Sequence, residues 1–217
     1  MSRGREGGLA PALSLRLMNA HIQPLNEPWR VFCAVEIPEQ ARAQLLRHIA
    51  TLRESLPDAR ASWSRDSNIH LTLKFLGGIP RASVTDLSTA ASLATARLQP
   101  FTIRLERTGA FPKPSQARVL WIGINDVSGQ LNELQARLES EAAKVGFEKD
   151  TRPFHPHLTI ARLRDPQSAR TLATAHLKMK FSPVEVVVSE LLVIRSELSS
   201  AGARYTVASR HPMGEGG

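Results

Sequence analysis

The phrase His-Leu-Thr-aliphatic occurs twice in this chain, and the pair constrains its architecture more than any other feature. His70-Leu71-Thr72-Leu73 opens the run HLTLKFLGG, and His157-Leu158-Thr159-Ile160, 87 positions further on, opens HLTIARLR. Each run reads as a strand and ends in turn signals, Gly77-Gly78 in the first and Asp165-Pro166 in the second. Side chains of an extended strand alternate between its faces, so each His shares a face with its Thr. Leu71, Leu73 and Phe75 then point to the opposite face of the first strand, as Leu158 and Ile160 do in the second. Strands that are apolar on one face and carry a short polar set on the other belong on the walls of a groove. Two of them facing each other supply two imidazoles and two hydroxyls, an arrangement suited to acid–base work on a phosphate ester.

The surrounding pattern supports a folded host for such a groove. Val31 to Ile37 reads as a buried strand stopped by Pro38, which suits the start of a helix running to about Leu56. Strands are expected over 61–65 and 69–76, and a helix over about 83–98. Two more strands follow over 101–108 and 119–124. Leu131, Leu134, Leu138, Ala142 and Val145 form the stripe of an amphipathic helix, with Ser128 as its expected N-cap. After the second motif come a helix near 168–177 and strands over 184–195 and 204–207. This irregular alternation predicts an α+β fold with antiparallel sheets over a doubly wound parallel one. The duplicated motif predicts two similar lobes of sheet plus helices, related by a pseudo-two-fold axis, with the active groove between them. Residues 1–27 lack periodicity and read as a flexible N-terminal extension. The two-lobed domain is placed at 28–210, and 211–217 (HPMGEGG) is expected to be a disordered tail.

Charge and cysteine content narrow the setting. A formal charge of +8, with Arg far outnumbering Lys, favours polyanionic partners such as RNA, because guanidinium forks match phosphate oxygens. A GC-rich genome enriches arginine as well, so the charge alone assigns nothing. A single cysteine, Cys33, excludes an internal disulfide framework and suits a reducing cytoplasm. No apolar run is long enough to span a bilayer, and the opening LAPALSLRLM, broken by Pro11 and Arg16, is a poor signal peptide.

Several further pieces fall in order around the two motifs. They are RVFCAVEIP (Arg30 to Pro38), Trp63, HLTLKFLG (His70 to Gly77), GAFPKP (Gly109 to Pro114), RVLWIGI (Arg118 to Ile124) and HPHLTIARLR (His155 to Arg164). In this set, spread over about residues 29–208, the chain resembles the RNA 2′,3′-cyclic phosphodiesterase (2′-5′ RNA ligase-like) branch of the two-histidine phosphoesterases. The resemblance implies metal-independent hydrolysis of RNA 2′,3′-cyclic phosphodiester ends to 2′-phosphomonoesters, with no cofactor. It implies His70 as proton donor to the departing 3′ oxygen and His157 as proton acceptor, although the near-symmetry of the motifs makes the two roles easy to exchange. Histidine suits both, since its ordinary pKa lies near neutrality. Thr72 and Thr159 are expected to donate to the phosphoryl oxygens.

Substrate-binding candidates are less sharply marked. The family's second motif usually continues as H-x-T-x-x-R, which points to Arg162. Strict alternation sets Arg162 on the face opposite His157, so a bulge or the strand's end must redirect it. Phe32 and Trp63 could stack on a base, or lie in the core. Lys74 has groove parity, yet reads more simply as a solvated lysine on an outer strand. His155-Pro156-His157 could share a metal, but no second ligand cluster accompanies it, so no metal is expected. His21, His48, His176 and His211 lack supporting context and read as structural or exposed. The expected partners are RNA ends, tRNA fragments among them, with no membrane and with a monomeric protein. Two other functions remain open: reversible 2′-5′ ligation of tRNA halves, and a non-catalytic RNA- or nucleotide-binding module.

Overall fold

The computed structural model describes residues 28–200 and 202–214; the expected extension over 1–27 lies outside them. Nine strands and four helices follow one another as β1 (Pro28–Glu36), α1 (Glu39–Ser55), β2 (Ser62–Trp63), β3 (His70–Pro80), α2 (Val84–Thr95), β4 (Phe101–Phe111), β5 (Val119–Asn125), α3 (Gln130–Lys144), β6 (His157–Arg162), α4 (Pro166–Lys178), β7 (Val184–Val188), β8 (Glu190–Ser199) and β9 (Gly202–Pro212). They form two antiparallel sheets, ordered β3-β1-β8-β9 and β2-β6-β5-β4-β7. The fold is thus α+β, with one motif strand in each sheet.

The two lobes are not the two halves of the chain. The first motif's sheet is completed from the far end of the sequence by β8 and β9, while β2 crosses to the edge of the other sheet. Helices exchange as well: α1 packs with α4 and β7, whereas α3 packs with α2 and β3. One continuous core containing Leu45, Leu71, Leu105, Leu120, Leu134 and Leu158 runs beneath both sheets. Burial of that many aliphatic side chains, each worth about 1.5–3 kcal/mol, commits both lobes to fold together.

Three local differences from the sequence reading have physical causes. The run over 184–195, expected as one strand, breaks at Ser189 into β7 and β8, which enter different sheets. α3 is entered through Gly129 at φ 75°, and Asp126 Oδ2 accepts from Asn132 N at 3.0 Å, so Ser128 is not the N-cap. The expected tail is partly strand: β9 reaches Pro212, and His211 and Met213 are buried. His211 is held by Ser92 and Ser209 hydroxyls, each at 2.8 Å, and Met213 N donates to Ser189 O. Polar partners for a buried imidazole, invisible in a seven-residue string, order this segment. Cys33 is buried in β1, and burial pushes its thiol up to about 12.

Candidate active site

Both motif strands carry the same irregularity at the same place. On β3, Thr72 pairs with Ala34 and Lys74 with Cys33, so Leu73 is an extra residue. On β6, Thr159 pairs with Trp121 and Ala161 with Leu120, so Ile160 is extra. The fourth motif residue is therefore a β-bulge in each copy, and a bulge reverses the facing of everything after it. The fifth residues, Lys74 and Ala161, turn inward and are buried; the sixth, Phe75 and Arg162, turn out onto the face of the His and Thr. This is the redirection that Arg162 required. It overturns the expected inward facing of Phe75, which is 56% exposed, and the solvated reading of Lys74, which is 5% exposed.

The first wall of the groove stands on β1, β3, β8 and β9. Pairing sets Phe32 opposite Phe75, Ala34 opposite Thr72 and Glu36 opposite His70. Phe32, Ala34, Leu192 and Ile194 form a small apolar cluster under this face, with Tyr205 against it. His70 lies edge-on to Tyr205 (5.6 Å between centroids) and to Phe32 (6.3 Å). A pocket of about 340 Å³ is bounded by His70, Thr72, Arg162, Tyr205 and Phe75, with Phe32 at its base. Phe32 is nearly buried, so it supports the wall, and Phe75 and Tyr205 are the rings with surface to offer. Trp63 does not reach the groove: it pairs with buried Ala161 and packs against the main core.

The second wall stands on β4, β5 and β6. His157 lies opposite Gly123, and Thr159 opposite Trp121, whose other neighbour is Gly109. His157 meets Phe111 edge-on at 5.0 Å and the Trp121 ring at 6.4 Å. Each motif histidine is thus braced by two aromatic rings. Trp121 fits only because its neighbours lack side chains. A Cβ on Gly109 would lie 2.0 Å from the indole, and one on Gly123 would lie 3.2 Å from it. Gly109→Ala is therefore expected to destabilise the protein by about 1–3 kcal/mol and to alter the near-ultraviolet dichroism of tryptophan. Gly78→Ala is the control, since a Cβ there meets only Pro28 at 3.9 Å. Equal melting losses for both variants would refute this account.

The two imidazoles differ in what holds them. His157 Nδ1 lies 2.7 Å from the His155 carbonyl, which fixes the proton on Nδ1 and leaves the Nε2 lone pair free. Burial lowers its pKa from the ordinary value, the His155 carbonyl opposes that, and the Arg162 and His155 charges lower it further. His70 is also lowered by burial, but here the Glu36 carboxylate favours the proton, against Arg42, and the Asn68 backbone favours it too. Its Nδ1 is buried without a well-formed hydrogen bond. Neither threonine hydroxyl is engaged by a described residue. β3 and β6 approach each other across the groove although they belong to different sheets. The site thus offers one imidazole tuned toward its neutral form, one with a carboxylate beside it, two free hydroxyls and the exposed guanidinium of Arg162.

Among the described residues, no three His, Cys, Asp or Glu side chains converge in a way that could hold a metal. His48 and His176 are a buried structural pair 3.0 Å apart, joining α1 to α4, and His176 Nε2 reaches the Trp121 carbonyl at 3.0 Å. Burial and its partner's charge push His48 down to about 4. His21 lies outside the described residues. Phe75, Tyr205, Trp121 and Phe111 were not singled out from sequence. Only GAFPKP and RVLWIGI, which contain Phe111 and Trp121, drew attention to that side of the groove.

A two-lobed α+β fold with a His-x-Thr strand on each wall of one groove defines the chain's class, the two-histidine phosphoesterase type. Within it, the sequence model of the 2′-5′ RNA ligase superfamily matches residues 37–199, and the chain belongs to that family. It is 33% identical over 180 residues to the RNA 2′,3′-cyclic phosphodiesterase of Methanothermobacter thermautotrophicus, covering 82% of this chain and 95% of the relative. With the Escherichia coli protein of the same name it shares 32% over 188 residues, 86% of this chain and 97% of that one. The crystal structure of E. coli LigT complexed with 3′-AMP superposes with a TM-score of 0.69 at 27% identity, over 87% of this chain and all of the other. That of TT0787 from Thermus thermophilus does so at 0.69 and 26%, over 85% and 97%.

Proposed function

We propose that this chain hydrolyses RNA 2′,3′-cyclic phosphodiester ends to 2′-phosphomonoesters by paired-histidine acid–base catalysis. The observation that carries the reading is the repeated strand-and-bulge unit, which gives each wall of the groove one His, one Thr and a sixth residue on the same face. In the reaction, His157 Nε2 takes a proton from water as its oxygen attacks phosphorus. The bond from phosphorus to O3′ breaks, and His70 gives its proton to O3′, leaving the phosphate on O2′. Proton exchange with solvent then restores both rings. Thr72, Thr159 and Arg162 hold the non-bridging oxygens as charge grows on them. Phe75 and Tyr205 take the terminal base, a task the sequence had given to Phe32 and Trp63. The basic composition supports RNA ends as substrates, and the single buried cysteine suits the cytoplasm. The reading takes tRNA fragments to be among those ends and the protein to act as a monomer.

Turnover of a short RNA ending in a 2′,3′-cyclic phosphate, in excess EDTA, tests this. The wild type is expected to yield a 2′-phosphate, and His157→Ala to lose about 10²–10⁴-fold in rate. Dependence on added metal, or no product from well-folded wild type, would overturn the reading. The family's description favours a second use of the same groove: an RNA 5′-hydroxyl replacing water gives a 2′-5′ linkage by the same proton transfers. Joined product at high concentrations of a 5′-hydroxyl RNA would reveal it.

A further inference from the structure

Beyond the groove, β6 runs on into a second basic depression. Arg162 and Arg164 are exposed on either side of buried Leu163, and Arg60, preceding β2, is exposed beside them. A pocket of about 410 Å³ lies among Arg60, Ser62, Arg162, Arg164 and Asp165. Arg162 also lines the pocket at His70, so the two are continuous through one guanidinium. Several arginines elsewhere find carboxylates, as Arg152 does with Asp150, Arg210 with Glu190 and Arg42 with Asp66. Arg60, Arg162 and Arg164 make no such pair among the described residues. The one carboxylate in the pocket is already committed: Asp165 Oδ2 accepts from Ser168 N at 2.7 Å to cap α4. Ser168 first, and the Arg60 charge less strongly, hold that carboxyl below its usual range. Three like charges gathered on an open surface repel one another until an anion joins them.

We propose that this pocket is a second phosphate subsite, taking the phosphodiester one nucleotide 5′ of the RNA end held between His70 and His157. The proposal rests on the reading of the groove as a cyclic phosphodiesterase site. The chemistry of the substrate sets the direction. A terminal ribose carries the reacting phosphate on O2′ and O3′ and joins the rest of the chain through O5′. With the base on Phe75 and Tyr205, the O5′ side leads past Arg162, whose far side faces Arg60 and Arg164. Guanidinium forks on a phosphodiester fix position without reading sequence. Contacts remote from the reacting bond then raise kcat/KM for RNA chains above that for a free cyclic mononucleotide.

The test compares a trinucleotide ending in a 2′,3′-cyclic phosphate with a 2′,3′-cyclic mononucleotide that lacks a 5′-phosphate. Each is turned over by wild type and by Arg60→Gln/Arg164→Gln. Both side chains are exposed, and glutamine keeps most of the stem, so the fold is retained. The variant is expected to lose roughly tenfold or more in kcat/KM on the trinucleotide and to keep wild-type kcat/KM on the mononucleotide. Its salt dependence on the trinucleotide should flatten by about 0.7 log units per decade of salt for one lost phosphate contact. Equal losses on both substrates, or no loss on either, would overturn the subsite while leaving the catalytic reading intact. Failure of the wild type on the mononucleotide and the trinucleotide alike would overturn that reading and the subsite with it.

Discussion

Replacing His157 by asparagine is expected to abolish the acid limb of the pH profile for cyclic-phosphate turnover, and replacing His70 to abolish the alkaline limb. Each change lowers the maximal rate by about 10²–10⁴-fold. A group that must be unprotonated to act loses activity as pH falls through its pKa, and a group that must be protonated loses it as pH rises. His157 fits the first description. Its Nδ1 is committed to the His155 carbonyl, and burial, together with the charges of Arg162 and His155, lowers its pKa. His70 fits the second, because the Glu36 carboxylate and the Asn68 backbone favour its proton against the effect of burial. Since burial lowers both groups, the wild-type bell should sit on the acid side of the ordinary histidine range. Glu36→Gln separates this from a merely symmetrical site: it should draw the alkaline limb to lower pH and leave the acid limb in place. Profiles in which both single-histidine variants keep both limbs, or in which the limbs are exchanged, would refute the assignment of roles.

What the sequence made legible follows from how far each signal travels along the chain. His70, Thr72, His157 and Thr159 could be placed on groove faces because strand alternation acts over two residues, and the structure puts all four where alternation predicts. Beyond the fourth motif position alternation fails, since a bulge is a property of two paired strands and not of one. For Arg162 the conflict between parity and function was itself the signal, and a bulge resolved it. Lys74 and Phe75 sit at the same point of the other copy, where no such conflict was raised, and both were placed on the wrong face. Tyr205 lies on β9, which pairs with its neighbour β8, and it meets His70 only because β8 pairs with β1 and β1 with β3. Trp121 lies on β5 and meets His157 only through the pairing of β5 with β6. Trp121 shows its importance only through the two glycines that make room for it. The break at Ser189 was hidden because two adjacent strands of different sheets present one unbroken apolar run. The two-lobed α+β architecture could be read from the duplicated motif, but the exchange of β2, β8, β9 and two helices between lobes could not.

Lys74→Met is expected to destabilise the protein by about 3–5 kcal/mol, a large fraction of the stability of a domain this size. The bulge at Leu73 turns Lys74 inward, where its Nζ lies 2.6 Å from Glu139 Oε2 and 2.7 Å from the Glu148 carbonyl, with both charged side chains almost completely buried. Glu139 also accepts from Asp150 N at 3.1 Å. Methionine keeps the stem but leaves a carboxylate buried without its cation, and the cost is that of the stranded charge more than of the lost bond. Lys74→Met/Glu139→Leu should therefore recover most of the loss in denaturant unfolding, because two apolar groups of similar volume strand no charge and free only the Asp150 N–H and the Glu148 carbonyl. A double variant as unstable as the single one would show that the pair acts by geometry and not by charge. The consequence reaches the groove. Lys74 ties the first motif strand to α3 and to the segment at 148–150, which leads through 151–156 to His157. Even where Lys74→Met remains folded, its kcat on the cyclic phosphate should fall while its KM changes less, since the two histidines lose a common anchor and not a substrate contact. A fall in stability with kcat untouched would confine Lys74 to the core.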